Sequence, residues 1–176
     1  RSAGTAVTTA SPVATAAAET TVTASSGSAS AIQSAINTVS SSGGGTVLIP
    51  AGTFNLGGSV SVRANVAVIG AGTDKTILRT SGSQGFSIAG DNARISNFSL
   101  LSPNEDGGDA VRIGDYIDFR VDNMRIEGFG SQSSILVRGG RARGVIDHNY
   151  IKGDISDSLN YGVVVYGGGK WDSDPR

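Results

Sequence analysis

Apolar and polar residues alternate in short runs along most of the chain, and only one segment repeats with the period of a helix. That segment is SAIQSAINTVSSS at 30–42. Its apolar residues recur at helical spacing on one face: Ile32, Ala35, Ile36 and Val39. Ser28 or Ser30 can cap its start, and the glycines at 43–45 end it. The pattern predicts an amphipathic helix whose apolar face covers another part of the protein.

The rest of the chain reads as short strands separated by Gly, Asn, Asp or Ser. This pattern alone fits a β-sandwich as well as a solenoid. The predicted strands are TVLIP, SVSV, VAVIG, TILRT, GFSIAG, ARISNFSL, DAVRIG, IDFRVDNMRIEG, SILVRG, RGVIDHNYIKG and YGVVVYG.

Two patterns recur and decide between these folds. In the first, an apolar residue precedes an Asn or His by two places and a second apolar residue by five: Ile95–Asn97–Leu100, Val121–Asn123–Ile126 and Ile146–His148–Ile151. In the second, two apolar residues lie two apart: Phe86/Ile88, Val111/Ile113, Ile135/Val137 and Val163/Val165. The patterns alternate with a period of roughly 25 residues, which indicates a solenoid. Each strand is therefore expected to pair with its equivalent in the next coil.

The polar member of the first pattern suggests a stacked row of side chains at a turn. Asn97 and Asn123 recur there, followed by His148 or its neighbour Asn149. We expect this row to lie inside the coil and to bond backbone groups that the turn leaves unpaired.

The segment that follows the helix carries a family resemblance. Residues 31–78, AIQSAINTVSSSGGGTVLIPAGTFNLGGSVSVRANVAVIGAGTDKTIL, join the helix to a Gly-rich turn, a V-x-x-P-x-G-x-F strand and a strand that ends in IGAG. This order resembles the start of proteins of the pectate-lyase-like superfamily. The resemblance covers residues 30 to about 167 and implies an all-β fold, a right-handed parallel β-helix (solenoid) with an N-terminal capping α-helix. A cap is physically reasonable, since it blocks edge pairing and buries the last apolar layer.

The chain divides into two predicted parts. Residues 1–29 form an Ala/Thr/Ser-rich head or linker, although TTVTAS within them has strand propensity. Residues 30–176 form the β-helix domain, with about four or five coils. Enzymes of the superfamily usually have more coils, and the final GGGKWDSDPR shows no cap. We therefore expect the domain to be incomplete at its C-terminus, and further coils or self-association to continue the rod.

Composition excludes several classes of function. The net charge is −1, which gives no general attraction to nucleic acid. No apolar run approaches the length of a membrane span. The chain has no Cys, so it has neither disulfides nor thiolate metal sites.

The candidate substrate-binding residues are predicted to lie on the outer face of the strands that carry the second pattern: Arg112, Arg138, Arg141, Tyr166 and Trp171. Because Ile135 and Val137 are expected to point inward, Leu136 and Arg138 point outward. In the resembled enzymes this face forms the polysaccharide groove. Arg binds uronate carboxylates bidentately, and Tyr and Trp can stack on sugar rings. The plainer alternative is a solvated charged face.

Two other clusters are weaker candidates. VIDHNYIKG resembles the WIDH segment of pectate lyases, which implies that Asp147 contacts carbohydrate or Ca²⁺ and that His148 is an acid/base; the alternative is the polar row described above. Glu105, Asp106 and Asp109 could hold Ca²⁺ on a loop, but their spacing fits no known Ca²⁺ loop. We predict no metal and no cofactor.

Three functional hypotheses follow. The first is an exported, extracellular or cell-surface bacterial protein that binds or processes an acidic polysaccharide; if it is an enzyme, it is a polysaccharide lyase or glycoside hydrolase. The catalytic Asp pair and GHG of polygalacturonases and the R-x-P-x-x-R of pectate lyases are absent from the sequence. The second hypothesis is a non-enzymatic surface or filament protein that uses the β-helix as a rigid rod. The third is a phage tailspike-like adhesin, which would require a trimer.

Overall fold

The part of the chain that the structure describes folds into three parallel β-sheets wound into a solenoid, with one helix before the first full coil. The computed structural model describes residues 19–80, 84–102, 108–129, 133–153 and 161–167. Each complete coil contributes one strand to each sheet, and every strand pair is parallel. The structure therefore confirms the predicted parallel β-helix.

The sheets are named here by their strands, in the order in which the strands are hydrogen-bonded. Sheet A contains β1 (Thr20–Thr23), β2 (Gly45–Ile49), β5 (Val66–Gly70), β8 (Arg94–Ser96), β11 (Ile117–Asp122) and β14 (Arg143–Asp147). Sheet B contains β3 (Gly52–Asn55), β6 (Thr76–Arg79), β9 (Ser99–Leu101), β12 (Arg125–Glu127) and β15 (Tyr150–Lys152). Sheet C contains β4 (Val60–Val62), β7 (Phe86–Ile88), β10 (Val111–Ile113), β13 (Ser133–Arg138) and β16 (Tyr161–Tyr166).

The strand register matches both repeating patterns of the sequence. In sheet C, Ile135 pairs with Val111 in the coil before it and with Val163 in the coil after it. The corresponding residue of sheet A, Val121, pairs with Ile95 and Ile146. These apolar side chains point into the coil, where all of them except Val163 form one continuous core or pack against it. Register is fixed this firmly because a slip of one residue would turn the apolar set outward.

The helix α1 (Ala29–Ser41) forms as predicted and packs against strands of sheets A and C. The Ser28 hydroxyl caps it by accepting a hydrogen bond from the backbone N–H of Ala31 at 3.3 Å. Its predicted apolar face is buried: Ile32, Ala35, Ile36 and Val39. Within the segment predicted as a head or linker, the strand that TTVTAS allowed is present as β1, which pairs with β2.

Three of the predicted strands are each two strands, separated by a sharp corner between sheets A and B. The corner residues are Asn97, Asn123 and His148, with φ of 62°, 52° and 53°. This left-handed conformation breaks the strand, and short polar side chains tolerate it best. ARISNFSL is therefore β8 and β9, and the other two long runs are divided in the same way.

The expectation that this polar row lies inside the coil is wrong. Asn97 is half-buried, and Asn123 and His148 are exposed. The left-handed corner does not require a buried side chain. The amide of Asn123 therefore bonds the Asp122 carboxylate, and the ring of His148 bonds the Asp147 carboxylate, instead of bonding the backbone inside the coil. Asn149 does bond the neighbouring backbone, since it donates to the Val121 carbonyl at 2.8 Å and accepts from the Met124 N–H at 2.9 Å.

The last coil leaves its inward-facing residues uncovered. Val165 occupies the core position of Val137 one coil on, yet 69% of its surface is exposed. Within the described ranges, β16 has a strand partner on one side. Further coils or self-association at this end stay predictions.

No helix within the described ranges combines the length and apolarity that a membrane crossing requires.

Candidate functional site

The outward side of sheet C brings together three of the predicted binding residues. We define the sheet C face as Arg112, Leu136, Arg138, Val164 and Tyr166. Arg112, Leu136 and Val164 are register partners in successive coils, and Arg138 is paired with Tyr166. The face therefore runs along the axis of the solenoid over β10, β13 and β16.

Arg138 and Tyr166 form the exposed part of this face. The guanidinium carbon of Arg138 lies 5.7 Å from the centroid of the Tyr166 ring, a cation–π distance. Both side chains are exposed. Among the described residues, no carboxylate lies within 4.0 Å of the Arg138 guanidinium. Its N–H groups can therefore bind an anionic ligand beside an aromatic surface.

Arg112 is already held by a buried carboxylate. Its Nε and a terminal nitrogen donate to Oδ2 of Asp109 at 3.1 and 2.9 Å. The Ser133 hydroxyl donates to the other oxygen of Asp109 at 2.6 Å. Asp109 is fully buried and is itself held by Ser133. It therefore fixes Arg112 in position and neutralises much of its charge. Arg112 is accordingly a weaker candidate for anion binding than Arg138.

Leu136 departs from expectation. It lies on the outward side of β13, as the alternation predicted, but it is only 2% exposed and is not part of the central core cluster. The exposed part of the sheet C face is therefore centred on Arg138 and Tyr166.

Arg141 lies on the turn after β13 and not on the sheet. Its backbone N–H donates to Oδ1 of Asp115 at 2.6 Å, and its Nε donates to Oδ2 at 3.2 Å. The backbone hydrogen bond, followed by that from the guanidinium, holds the pKa of Asp115 below its ordinary value. Arg143 and Asp118 make a similar contact at 2.9 Å. These ion pairs link adjacent coils. A binding role for Arg141 stays a prediction. Trp171 lies outside the described residues.

The outward side of sheet A carries a charge network that the sequence reading missed. Arg94 makes two hydrogen bonds to Asp122 in the next coil, at 2.7 and 2.6 Å. Arg120 makes the same contact with Asp147 one coil further, at 3.1 and 2.8 Å. Arg120 also lies 3.6 Å from Asp122, so the charges alternate along the solenoid without interruption. We call these four side chains the sheet A ladder.

Both carboxylates of this ladder are stabilised in the charged form. Burial would raise the pKa of Asp122, but hydrogen bonds from Arg94 and Asn123 outweigh it and hold the pKa below its ordinary value. The hydrogen bond from Arg120, followed by that from His148, lowers the pKa of Asp147. The VIDHN motif thus contributes Asp147 to the ladder, while the acid/base role of His148 stays a prediction. The signal that the sequence reading missed is an R-x-S segment at 94–96 followed one coil later by an R-x-D segment at 120–122. The two segments can be recognised as neighbours only when the strand register is known.

Metal ligands do not converge within the described ranges, where no group of three or more His, Cys, Asp or Glu side chains lies close enough to hold an ion. Glu105 and Asp106 lie outside those ranges. Asp109 bonds Arg112 and Ser133.

Comparison with known proteins identifies the fold. No family model matches the chain, and no curated protein matches it. Two solved structures that resemble it are A-modules of mannuronan C-5 epimerases from Azotobacter vinelandii, AlgE6 and AlgE4. They are 15% and 16% identical to the chain, each with a TM-score of 0.52. The alignments cover 80% and 82% of this chain and 54% of each module, so the chain spans about half the length of the modules. The chain has the parallel β-helix fold of these modules, the fold of the pectate-lyase-like proteins.

Proposed function

We propose that this chain is part of a protein that binds an acidic polysaccharide along the sheet C face. The observation that carries the proposal is the Arg138–Tyr166 pair, an exposed guanidinium stacked at 5.7 Å on an exposed aromatic ring. A guanidinium binds a uronate carboxylate through two parallel hydrogen bonds. The tyrosine ring offers an apolar surface to the sugar ring, and its hydroxyl can bond the sugar hydroxyls.

The repeat of the fold favours a linear ligand. Successive coils are stacked at about 4.8 Å, the spacing of hydrogen-bonded strands. Equivalent side chains of successive coils therefore meet a polymer that lies along the axis at regular intervals, close to the length of one sugar residue. The names of the two structural neighbours add support, because both act on mannuronan, a polysaccharide.

Affinity for oligouronates tests the proposal directly. Arg138→Ala should raise the Kd for a mannuronate or galacturonate hexamer roughly fivefold, since an exposed charge-assisted contact contributes about 1 kcal/mol. Tyr166→Ala should have a similar effect, whereas Tyr166→Phe should retain most of the affinity because the ring remains.

Arg79→Ala is the matched control. Arg79 is an exposed arginine on β6 of sheet B, so this variant removes the same charge from another face. The proposal fails if Arg138→Ala leaves the Kd unchanged, or if Arg79→Ala weakens binding equally, which would indicate non-specific attraction.

An extracellular or cell-surface location and processing of the bound polymer belong to the same proposal. Cleavage by a lyase would create an unsaturated sugar that absorbs ultraviolet light, and hydrolysis would create new reducing ends. Incubation with polymeric uronates, followed by both readouts, separates a lyase or a hydrolase from a protein that does not cleave the polymer.

A further inference from the structure

A second surface with ligand-binding chemistry lies where sheet A turns into sheet B. An open cleft of about 400 Å³ follows this corner, and we call it the corner cleft. Its side-chain lining includes Asn97, Asn123, Arg125, His148 and Tyr150. These residues come from three successive coils, and none of them belongs to the sheet C face.

The corner backbone points one polar side chain per coil along the cleft. Asn97, Asn123 and His148 all have positive φ and are half-buried or exposed. Because they occupy equivalent places in stacked coils, they are spaced at about 4.8 Å along the axis. The row is thus matched to a linear polymer in the same way as the sheet C face.

The sheet A ladder orients the imidazole at one end of this row. Nδ1 of His148 lies 2.8 Å from Oδ2 of Asp147, and the same Asp147 is held by Arg120. This contact occupies Nδ1 and leaves Nε2 directed away from the carboxylate. An ion pair on the outward side of sheet A therefore positions a ring that is itself exposed.

Arg125 supplies a cationic group for the carboxylate of an acidic sugar, and Tyr150 supplies an aromatic surface for its ring. They are register partners in adjacent strands of sheet B, so they lie side by side. Arg125 bonds Glu127 through Nε at 2.9 Å, which leaves its terminal N–H groups outside that bond. Tyr150 is 56% exposed, so its ring is accessible to a ligand.

We propose that the corner cleft is a second binding subsite for a carboxylated sugar residue. Arg125 binds the carboxylate, the Asn97 and Asn123 amides and Nε2 of His148 bind hydroxyls, and the Tyr150 ring stacks on the sugar. The ligand class rests on the proposed function, but the residues of the two surfaces do not overlap.

The single histidine of the chain provides a selective probe. Nuclear magnetic resonance of the ¹⁵N-labelled imidazole reports on His148 alone. Titration with mannuronate and galacturonate tetramers should shift the His148 signals in a saturable way, whereas neutral cellotetraose should not. The proposal is overturned if neither acidic tetramer moves the signals, or if cellotetraose moves them equally.

Two variants locate the ligand in the cleft. Tyr150→Ser should raise the Kd read from His148 roughly fivefold. Asn123→Gly removes the amide but keeps a residue suited to φ of 52°, and it should weaken binding about twofold to threefold. Tyr161→Ser is the matched control, since Tyr161 is 54% exposed on the same last coil but lies in sheet C. The proposal also fails if Tyr161→Ser has the same effect as Tyr150→Ser.

Arg138→Ala separates the two proposals. If the corner cleft is an independent subsite, the Kd read from His148 is unchanged in this variant. Loss of the His148 shifts in Arg138→Ala would instead overturn the second subsite, since binding would then depend on the sheet C face. Unchanged overall affinity in Arg138→Ala, together with intact His148 shifts, would remove the sheet C proposal and leave the corner cleft standing.

Discussion

Asp122 is the residue on which the sheet A ladder most depends, and Asp122→Asn tests that dependence. Its carboxylate is fully buried and accepts hydrogen bonds from Arg94, from Asn123 at 2.6 Å and from Ser96 at 3.2 Å. Asparagine keeps the shape of the side chain but replaces one acceptor oxygen with an N–H donor. That donor would face the N–H groups of its former partners.

The expected loss of stability in Asp122→Asn depends on how far the arginine partners of Asp122 are exposed to water. Removing one member of a fully buried ion pair costs about 3–5 kcal/mol. The side chains of Arg94 and Arg120 are 39% and 46% exposed, so water can solvate them again after the change. We therefore expect Asp122→Asn to lower the free energy of unfolding by about 2 kcal/mol. Asp147→Asn is the matched comparison and should cost less, because the Asp147 side chain is 25% exposed and solvent screens its ion pair with Arg120.

Urea denaturation followed by circular dichroism measures both values, with the m-value as a check that the unfolding transition is unchanged. The pH dependence has a definite sign. The folded pKa of Asp122 lies below its ordinary value of 3.8, so its contribution is fully present above that pH and is lost as the pH falls through the folded pKa. The difference between wild type and Asp122→Asn should therefore shrink below pH 3.8. Equal costs for the two variants, or a difference that does not change with pH, would refute the reasoning.

Substitutions at four other positions test the fold by the same denaturation assay. Asn123→Ala should cost about 1 kcal/mol more than Asn123→Gly, because both variants lose the hydrogen bond to Asp122 and only alanine is strained at φ of 52°; equal costs would contradict this. Gly139→Ala should cost more than about 2 kcal/mol, since its Cβ would lie 2.6 Å from the Asp115 Cα and its φ is 149°; a neutral result would refute the packing. Val121→Ala should cost about 2 kcal/mol and Val165→Ala under 1 kcal/mol, because Val121 is buried and Val165 is exposed. A larger cost for Val165→Ala than for Val121→Ala would contradict the exposure of Val165.

The fold was predictable because its strongest signal is a repeat of apolar positions. Val111, Ile135 and Val163 occupy equivalent positions in successive coils. A solenoid core forms when such equivalent apolar residues stack on one another, so the repeat determines the alignment of the coils. The helix was equally accessible, since its apolar face and its Ser28 cap are both local features. Local periodicity and a fixed repeat length together determine which side of each strand faces inward.

The site was only partly predictable, because its contacts depend on which coils become neighbours. Arg138 and Tyr166 could be paired from the repeat, whereas the bond from Arg94 to Asp122 joins positions two apart in adjacent coils. The outward position of Leu136 followed from alternation, but alternation alone does not indicate that its side chain is buried. The exposed corner at Asn123 was missed because an Asn in the left-handed region and an Asn in a buried row have the same sequence pattern.

The most direct test of the central proposal compares one oligosaccharide with and without its charge. Isothermal titration of the chain with a mannuronate hexamer and with the same hexamer after reduction of its carboxylates isolates the contribution of the guanidinium contact. The proposal predicts a Kd for the acidic hexamer at least about tenfold lower, with a difference that diminishes as salt is added. Equal affinities for the two hexamers, or no binding of either, would contradict it.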